Sequence, residues 1–555
     1  MAAILGLNAY HGDASAALVV DGDLVAAAEE ERFVRLNHVA GFPAQAAAWC
    51  LEHAGLTVAD LDHVAVSRDP RANIGQKLLR TVRHGASARY LKDRLQNATK
   101  LRDVGSQLGP GLRAQVHNVE HHHTHVASAF FVSPFEEAAI LSVDGFGDFA
   151  STMTAVGRGS HYDVLDRVLF PHSLGIFYTA FSQWLGFPDY GDEGKAMGLA
   201  PYGDASVYAK AMADVVRPLD DFFELNLDYF THDKEGVDMT WDAGAPTIGP
   251  IFSDKLVDTF GPPRPAHGNI LQLHSDVAAA LQRRLEEIYL HVIDRLHART
   301  QLPSLCLAGG VALNAVANGR VRDESPFERL WVQPAAGDSG TAIGAAFFVW
   351  NRVLKQPRSY ELTHVYLGPE YEERPEGSRP LDYAEVAQRI ADGAVVGWFQ
   401  GRMEFGPRAL GDRSILADPR RADMKDTLNA RIKYREGFRP FAPSILAERV
   451  GEWYEHSDAS PFMVVVDHSR REKRERIPAV DHADGTGRVQ TVDAATNPRF
   501  HRLISEFEAI TGVPILLNTS FNENEPIVMT PQDAIDTFRK TSMDLLVLGD
   551  YVLER

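Results

Sequence analysis

Cysteine is almost absent: the 555-residue chain carries only Cys50 and Cys306, far apart in sequence. Neither a thiolate zinc site nor a disulfide framework can be assembled from two isolated thiols. Long apolar runs are missing as well, since no stretch approaches the roughly 18 residues that span a bilayer. The opening MAAILGLNAYHGDAS has neither the basic flank nor the apolar core of a signal peptide, so a cytoplasmic location is expected. Nor is there an excess of positive charge: 56 Lys plus Arg stand against 75 Asp plus Glu, a net −19. That balance disfavours nucleic acid as the main partner, because phosphate backbones select a basic footprint. No short-period repeat or low-complexity tract interrupts the chain. What remains is ordinary globular composition, 45% hydrophobic and 24% charged. The length suits about two to four domains.

The pattern along the chain predicts α/β architecture. Ala3–Leu7, Ser15–Val20 and Leu24–Ala28 read as strands, with Asp21-Gly22-Asp23 as a hairpin turn. Ala44–Ala54 has helical character, and Arg68–Gly111 reads as a basic helical insertion. Ala138–Val143 and Ser304–Ala308 are buried strands ending in Asp144-Gly145 and Gly309-Gly310. Val277, Leu281, Leu285, Ile288, Val292 and Leu296 form one face of a helix over Asp276–Arg299, with Ser275 as its expected cap. Thr341–Leu354 is a further apolar helix. Prolines and charges make 361–380 a linker, dividing a domain at 1–360 from another at 381–555. The second begins with a helix (Tyr383–Ala391) and a strand (Ala394–Phe399), and closes with a strand (Pro514–Asn518) running into Thr519–Asn522.

Two groups of residues carry chemistry. Val395–Pro419 and Ile432–Ser444 set Arg402, Arg408, Arg413, Lys433, Arg435 and Arg439 among glycines, prolines and aromatics. Cations alternating with residues that fix turns or bury suggest a shaped pocket for phosphate and carboxyl oxygens. A structural ion-pair network is the competing interpretation. In VEHHHTHVASAFF, His121 and His125 are four apart, the helical spacing at which two imidazoles can hold one ion. His117 and His121 share that spacing, so the register is open, and His122 or His123 would then support the ligands. Asp144 in VDGFGD and Asp338 in AGDSG sit at glycine turns, where aspartates hold metal or phosphate or simply cap the turn. Two imidazoles plus carboxylates suit iron(II), manganese or zinc better than magnesium or calcium. His11 lies at a turn between two strands in an otherwise apolar segment.

Taken in order, GLNAYHGDASAAL, EEERF, HHHTHVASAF, VDGFGD, SLGIFYTAF, EGKAMGLAPYG, LAGGVALN, AGDSGTAIGAA, GRMEFGPRALGDRSILADPR, YREGFRPFAPS, DGTGRVQTV and LLNTSFNENEPIV resemble the O-carbamoyltransferases of the NodU/CmcH type. The resemblance implies a large actin/sugar-kinase-like domain of the threonylcarbamoyl-transferase branch, followed by a smaller YrdC-like domain. It implies that the small domain makes carbamoyl adenylate from carbamoyl phosphate and ATP, with Mg2+. The large domain would pass the carbamoyl group to a hydroxyl of a small molecule such as a secondary metabolite or glycoside. By the same resemblance Arg408, Lys433, Arg439, Asn518 and Ser520 bind carbamoyl phosphate and ATP. His121, His125, Asp144 and Asp338 would hold a divalent metal, iron(II) being the implied ion. His11 matches the essential transfer histidine, and Gly309, Gly310 and Asn314 fall in the large domain's nucleotide-binding turn. A homodimer, with neither nucleic acid nor membrane as partner, is the family-level expectation.

One departure stands out. Members of this family often carry a lysine soon after the ERF segment, where this chain has Leu36, Asn37 and His38; Arg35 or Lys195 is the expected substitute. Rival assignments are a tRNA threonylcarbamoyladenosine-type synthase, which the −19 balance disfavours, and a sugar or acetate kinase, which leaves the arginine-rich half without a task. A hydrogenase-maturation carbamoyltransferase would need zinc-finger cysteines and the opposite domain order, and a non-catalytic ATP sensor is the remaining class. Arg68–Gly111 and Asp204–His267 are the stretches expected to line the acceptor pocket. Within the latter, Tyr229, Phe230, Trp241, Ile251 and Phe252 read first as local core.

Overall fold

The computed structural model describes residues 2–77, 80, 104–236, 239, 240 and 244–555. Residues 78, 79 and 81–103 of the expected basic insertion, and Trp241, lie outside the described residues. The chain divides into two compact units, Met1–Leu362 and Thr363–Arg555.

The first unit is built twice from one plan. Strands β1 (Ala3–Asn8), β2 (Ser15–Val20), β3 (Asp23–Glu29), β4 (His63–Val66) and β5 (Gln115–Asn118) form a sheet in the order β3-β2-β1-β4-β5. The first three are antiparallel and the last two join parallel. Strands β6 (Glu137–Gly147), β7 (Ala150–Arg158), β8 (His161–Leu169), β9 (Ser304–Ala308) and β10 (Arg329–Val332) repeat the pattern as β8-β7-β6-β9-β10, again antiparallel then parallel. Two such sheets in tandem are the actin/sugar-kinase-like architecture. Both β1 and β9 are buried along their whole length, which is why they read as unbroken apolar runs rather than alternating ones.

Helices α1 (His121–Phe130), α2 (Leu174–Trp184), α3 (Gln272–Thr300) and α5 (Thr341–Phe347) pack on these sheets, and α4 (Ala315–Glu324) packs on α3. Helix α3 begins one turn before the expected Ser275 cap. Ser275 lies inside the helix, and at its start the Leu271 amide donates to the His274 imidazole at 3.0 Å. Helix α5 runs against α1 at van der Waals distance through Gly344, where an added Cβ would stand 1.8 Å from the Thr124 carbonyl oxygen. That contact fixes the helix carrying the histidines against the turn carrying Asp338. Tyr229, Phe230 and Ile251 are buried local core, with Tyr229 against Phe260 and Phe230 bridged to Phe252.

The second unit is a mixed eight-stranded sheet. Strands β11 (Arg379–Pro380), β12 (Val396–Phe399), β13 (Arg413–Ala417), β14 (Ala442–Leu446), β15 (Gln490–Val492), β16 (Ile515–Ser520), β17 (Leu545–Leu548) and β18 (Tyr551–Glu554) are ordered β11-β18-β17-β12-β13-β16-β14-β15. Helices α6 (Tyr383–Ala391) and α7 (Pro498–Thr511) pack together over it and enclose Trp398, Phe500, Leu503 and Phe507. Asp382 and Asn497 cap the two helices through their side-chain oxygens. The stretch assigned by composition to a linker contributes to this unit from Thr363 onward. Gly368 donates to the Met403 carbonyl at 2.9 Å, and β11 pairs with β18.

Gly344→Ala tests the helix contact. Alanine gains about 1 kcal/mol of helix propensity over glycine. Overpacking against a backbone oxygen that cannot swing aside costs up to about 3 kcal/mol and wins. Denaturant unfolding is expected to show a net loss of about 2 kcal/mol, whereas a stabilised variant would mean that α1 and α5 are not held at this distance.

Candidate functional site

In the first unit, the elements just described bring four titratable side chains to one point. Glu120 caps α1 by accepting the His123 amide at 3.0 Å, which sets the helical register so that His121 and His125 share a face. Their Nε2 atoms are 3.0 Å apart. Asp144, at the end of β6, places Oδ2 at 3.1 Å from His121 Nε2 and 3.5 Å from His125 Nε2. Asp338, in the turn before α5, places Oδ1 at 3.4 and 3.7 Å from the same two nitrogens. One ligand atom from each of the four lies within 4.8 Å of all the others. The alternative register is excluded, because His117 sits on β5 and faces His63 at 3.0 Å. His122 meets the Ser142 hydroxyl at 2.9 Å, and His123 meets the Tyr162 hydroxyl at 2.8 Å.

His11 completes the group. Its ring stacks on His121 at 4.8 Å between centroids, and Nδ1 is 3.7 Å from Asp338 Oδ2. Its Nε2 is buried without a hydrogen-bond partner. Burial, then Arg68 and His121, hold this imidazole well below its usual range and hence neutral. His121 goes the other way, to about 9: burial opposes the rise, but Asp144 and Asp338 outweigh it. Burial and the neighbouring Asp144 push Asp338 up. Burial also opposes ionisation of Asp144, yet the two imidazoles hold it well below the usual carboxylate range. Two imidazole nitrogens and two carboxylates converging in a buried site fit a borderline divalent cation such as iron(II), manganese or zinc.

The glycine turn after β9 borders this cluster, since the Gly310 amide donates to Asp144 Oδ1 at 2.9 Å. Gly309 precedes it at a positive φ of 89°. Asn314 caps α4, accepting from Ala317 at 3.0 Å, while its amide donates to Gln282 at 2.9 Å.

The second unit holds the opposite charge. Lys433 is buried and donates to the Ser520 carbonyl at 2.6 Å, the Asn522 carbonyl at 2.8 Å and Asn522 Oδ1 at 2.7 Å, with Ser520 Oγ at 3.2 Å. Asn518 on β16 donates to Ser444 Oγ at 3.0 Å and Gln490 Oε1 at 3.1 Å, while its Oδ1 is buried without a partner. Burial, followed by the neighbouring cations, depresses the whole set: Arg408 to about 10, Arg435 to about 9, and Lys433 and Arg488 well below their usual values. Arg439 acts on all four. The Nε atoms of Arg408 and Arg488 are buried without a partner. Cations that repel one another out of water need an anion, and a phosphate-bearing ligand supplies one.

Two of the sequence-selected cations serve the fold. Arg413 is fully buried over the Phe399 ring at 3.6 Å and donates to the carbonyls of Gln400, Gly401 and Pro369. Arg402 donates to the Leu367 carbonyl at 2.6 Å. Arg488 was missed; its one signal is a lone cation between the glycine turn DGTG and the buried strand β15.

Two outcomes check these sites. His121→Ala is expected to reduce bound transition metal from stoichiometric to background by elemental mass spectrometry. With its pocket empty, the folded chain holds the Arg408–Arg488 protons less tightly than the unfolded chain does, so the cluster costs stability at neutral pH. Inorganic pyrophosphate should reverse this, by about 2.7 kcal/mol at a hundredfold excess over Kd, measured as a rise in Tm. Chloride at matched ionic strength should not, and Arg488→Gln should remove most of the gain.

Comparison with known proteins agrees in both units. The family model for the carbamoyltransferase N-terminus matches residues 3–347, and that for the carbamoyltransferase C-terminus matches 387–555. The chain is 41% identical to the uncharacterized protein sll1178 of Synechocystis sp., over 100% of this chain and 97% of that one. Nodulation protein NolNO of Sinorhizobium fredii is 39% identical over 99% of this chain and 80% of its own length. A 3'-hydroxymethylcephem-O-carbamoyltransferase of Amycolatopsis lactamdurans is 31% identical, covering 78% of this chain and 80% of that protein. With both models matched in order across nearly the whole sequence, the chain is an enzyme of the carbamoyltransferase family.

Proposed function

We propose that this protein is an ATP-dependent O-carbamoyltransferase that activates carbamoyl phosphate as carbamoyl adenylate and transfers the carbamoyl group to a hydroxyl of a small molecule. The observation that carries the activation step is the clustering of Arg408, Lys433, Arg435 and Arg488, each depressed by burial and by neighbouring cations, with Arg439 acting on all four. Water splits carbamoyl phosphate into carbamate and orthophosphate. A carbamate oxygen then bonds to the α-phosphorus of ATP as the bond from that phosphorus to the α–β bridging oxygen breaks, and pyrophosphate leaves. Negative charge therefore accumulates on oxygens that fixed guanidinium groups stabilise without reorganisation. Asn518 and Ser520 orient the carbamoyl and phosphate oxygens beside Lys433, and Mg2+ accompanies the nucleotide.

Transfer belongs to the first unit. His121, His125, Asp144 and Asp338 would hold the metal, with iron(II) the family's implied ion. When bound, it supplies a Lewis acid that polarises a carbonyl or grips a phosphate. His11, neutral and with Nε2 unpartnered, takes the proton of the acceptor hydroxyl. Gly309 lets the turn pack against the Val143 carbonyl and Gly310 gives its amide to Asp144, so that the adenylate phosphate would sit beside this turn. The named cephem O-carbamoyltransferase supports a small hydroxylated acceptor. A cytoplasmic homodimer working on a small molecule, not on nucleic acid or membrane, remains part of this proposal. Among the described residues no helix is long and apolar enough to cross a membrane.

His11→Asn separates the two halves of the reaction. Carbamoyl transfer per pyrophosphate released is expected to fall by about 10²–10⁴. Equal transfer by the variant would remove His11 from the chemistry.

A further inference from the structure

In the second unit, one buried side chain ties three parts of the cation cluster together. Gln490, at the start of β15 and 2% exposed, donates from Nε2 to the Leu410 carbonyl at 2.6 Å. Leu410 follows Arg408 by two residues, and Gln490 follows Arg488 by two. The other end of the Gln490 amide, Oε1, accepts from the Ser444 hydroxyl at 2.6 Å and from Asn518 Nδ2 at 3.1 Å. Asn518 Nδ2 also donates to Ser444 Oγ at 3.0 Å and to the Ala409 carbonyl at 3.2 Å. These partners fix which way each amide is turned. A backbone carbonyl only accepts, so Leu410 requires the Gln490 nitrogen and Ala409 requires the Asn518 nitrogen. Turning the Asn518 amide over would set its oxygen against the Ala409 carbonyl and Gln490 Oε1, which are both acceptors. Asn518 Oδ1 is therefore held at the opposite end of the amide, buried and with no hydrogen-bond partner.

We propose that Gln490 is a positioning residue that fixes the Asn518 amide so that Oδ1 accepts the amino group of the carbamoyl donor, which separates that donor from an acyl donor of the same shape. The inference deepens the activation step proposed above and rests on it. Arginine and lysine side chains offer donors only, so the cluster is matched to phosphate oxygens, which only accept. Asn518 Oδ1 is matched to neither; it needs an N–H, and a buried acceptor left without one is costly. Asn518 and Ser520 are two apart on β16 and share a face. The Ser520 hydroxyl is already engaged, donating to Asn522 Oδ1 at 2.7 Å with Lys433 Nζ at 3.2 Å. Asn518 Oδ1 is thus an acceptor that this face leaves open beside Lys433. Carbamoyl phosphate carries its amino group on the carbon next to the bridging oxygen, so one molecule can give phosphate oxygens to the cations and an N–H to Oδ1. An acetyl donor has a methyl group in that place and leaves the oxygen unpaired.

The test measures pyrophosphate released from ATP by the full-length enzyme with carbamoyl phosphate or with acetyl phosphate. The unaltered chain is expected to favour carbamoyl phosphate by about a hundredfold or more in kcat/KM, the effect of leaving a buried acceptor unpaired. Gln490→Met keeps the volume but removes both ends of the amide, so that Asn518 can turn over. The preference should then fall about tenfold or more, through KM for carbamoyl phosphate, with KM for ATP unchanged. A merely structural role would weaken both donors together and leave their ratio alone. Ser444→Ala is a milder change to the same network; it should move the ratio in the same direction, and it serves if the Gln490 variant does not fold. Equal use of the two donors by the unaltered chain, or an unchanged ratio in a folded variant, would overturn the assignment. So would a variant that alters the preference for ATP over GTP instead, because Oδ1 would then face the nucleobase. Failure to release pyrophosphate with carbamoyl phosphate at all would overturn the function on which the inference rests.

Discussion

The first unit is organised around charge removed from water. Two carboxylates and two imidazoles have donor atoms within 4.8 Å of one another in its interior. Each isolated buried charge costs several kcal/mol, and attraction between partners offsets that only when geometry is tight. The fold supplies the geometry from rigid parts: a capped helix for both histidines, the end of a central strand for Asp144, and a short turn clamped by α5 for Asp338. The contact at Gly344 matters for the same reason, because a shift of one helix would separate nitrogen from oxygen.

The second unit solves the mirror problem. Burial and mutual repulsion hold Arg408, Arg435 and Arg488 at depressed proton affinity. An overall charge of −19 hides this completely. Global charge describes the solvated surface; chemistry follows from the few charges that are desolvated. The carboxylate–imidazole cluster and the cation cluster call for different surroundings, and each lies in its own unit.

Much of this was legible in the residues. Buried strands announced themselves as unbroken apolar runs, and the Asp21-Gly22-Asp23 turn placed β2 against β3. The His121/His125 spacing was readable, but not its register, which depends on Glu120 accepting the His123 amide. The duplicated sheet order was invisible, because strand order is a long-range property that local pattern does not encode. Arg402 and Arg413 looked like ligand-binding cations in sequence. Their guanidinium groups instead satisfy loop carbonyls, a destination set by tertiary packing. Arg488 escaped for the converse reason: as a single cation after a turn it has no periodic signature, and only the folded sheet places it near Arg408, Arg435 and Arg439.

The most direct test of the division into an activating pocket and a transferring cluster is to follow the nucleotide when ATP is supplied with and without carbamoyl phosphate. The account predicts AMP and pyrophosphate, formed only when carbamoyl phosphate is present. ADP as the product, or pyrophosphate formed at the same rate without carbamoyl phosphate, would contradict it.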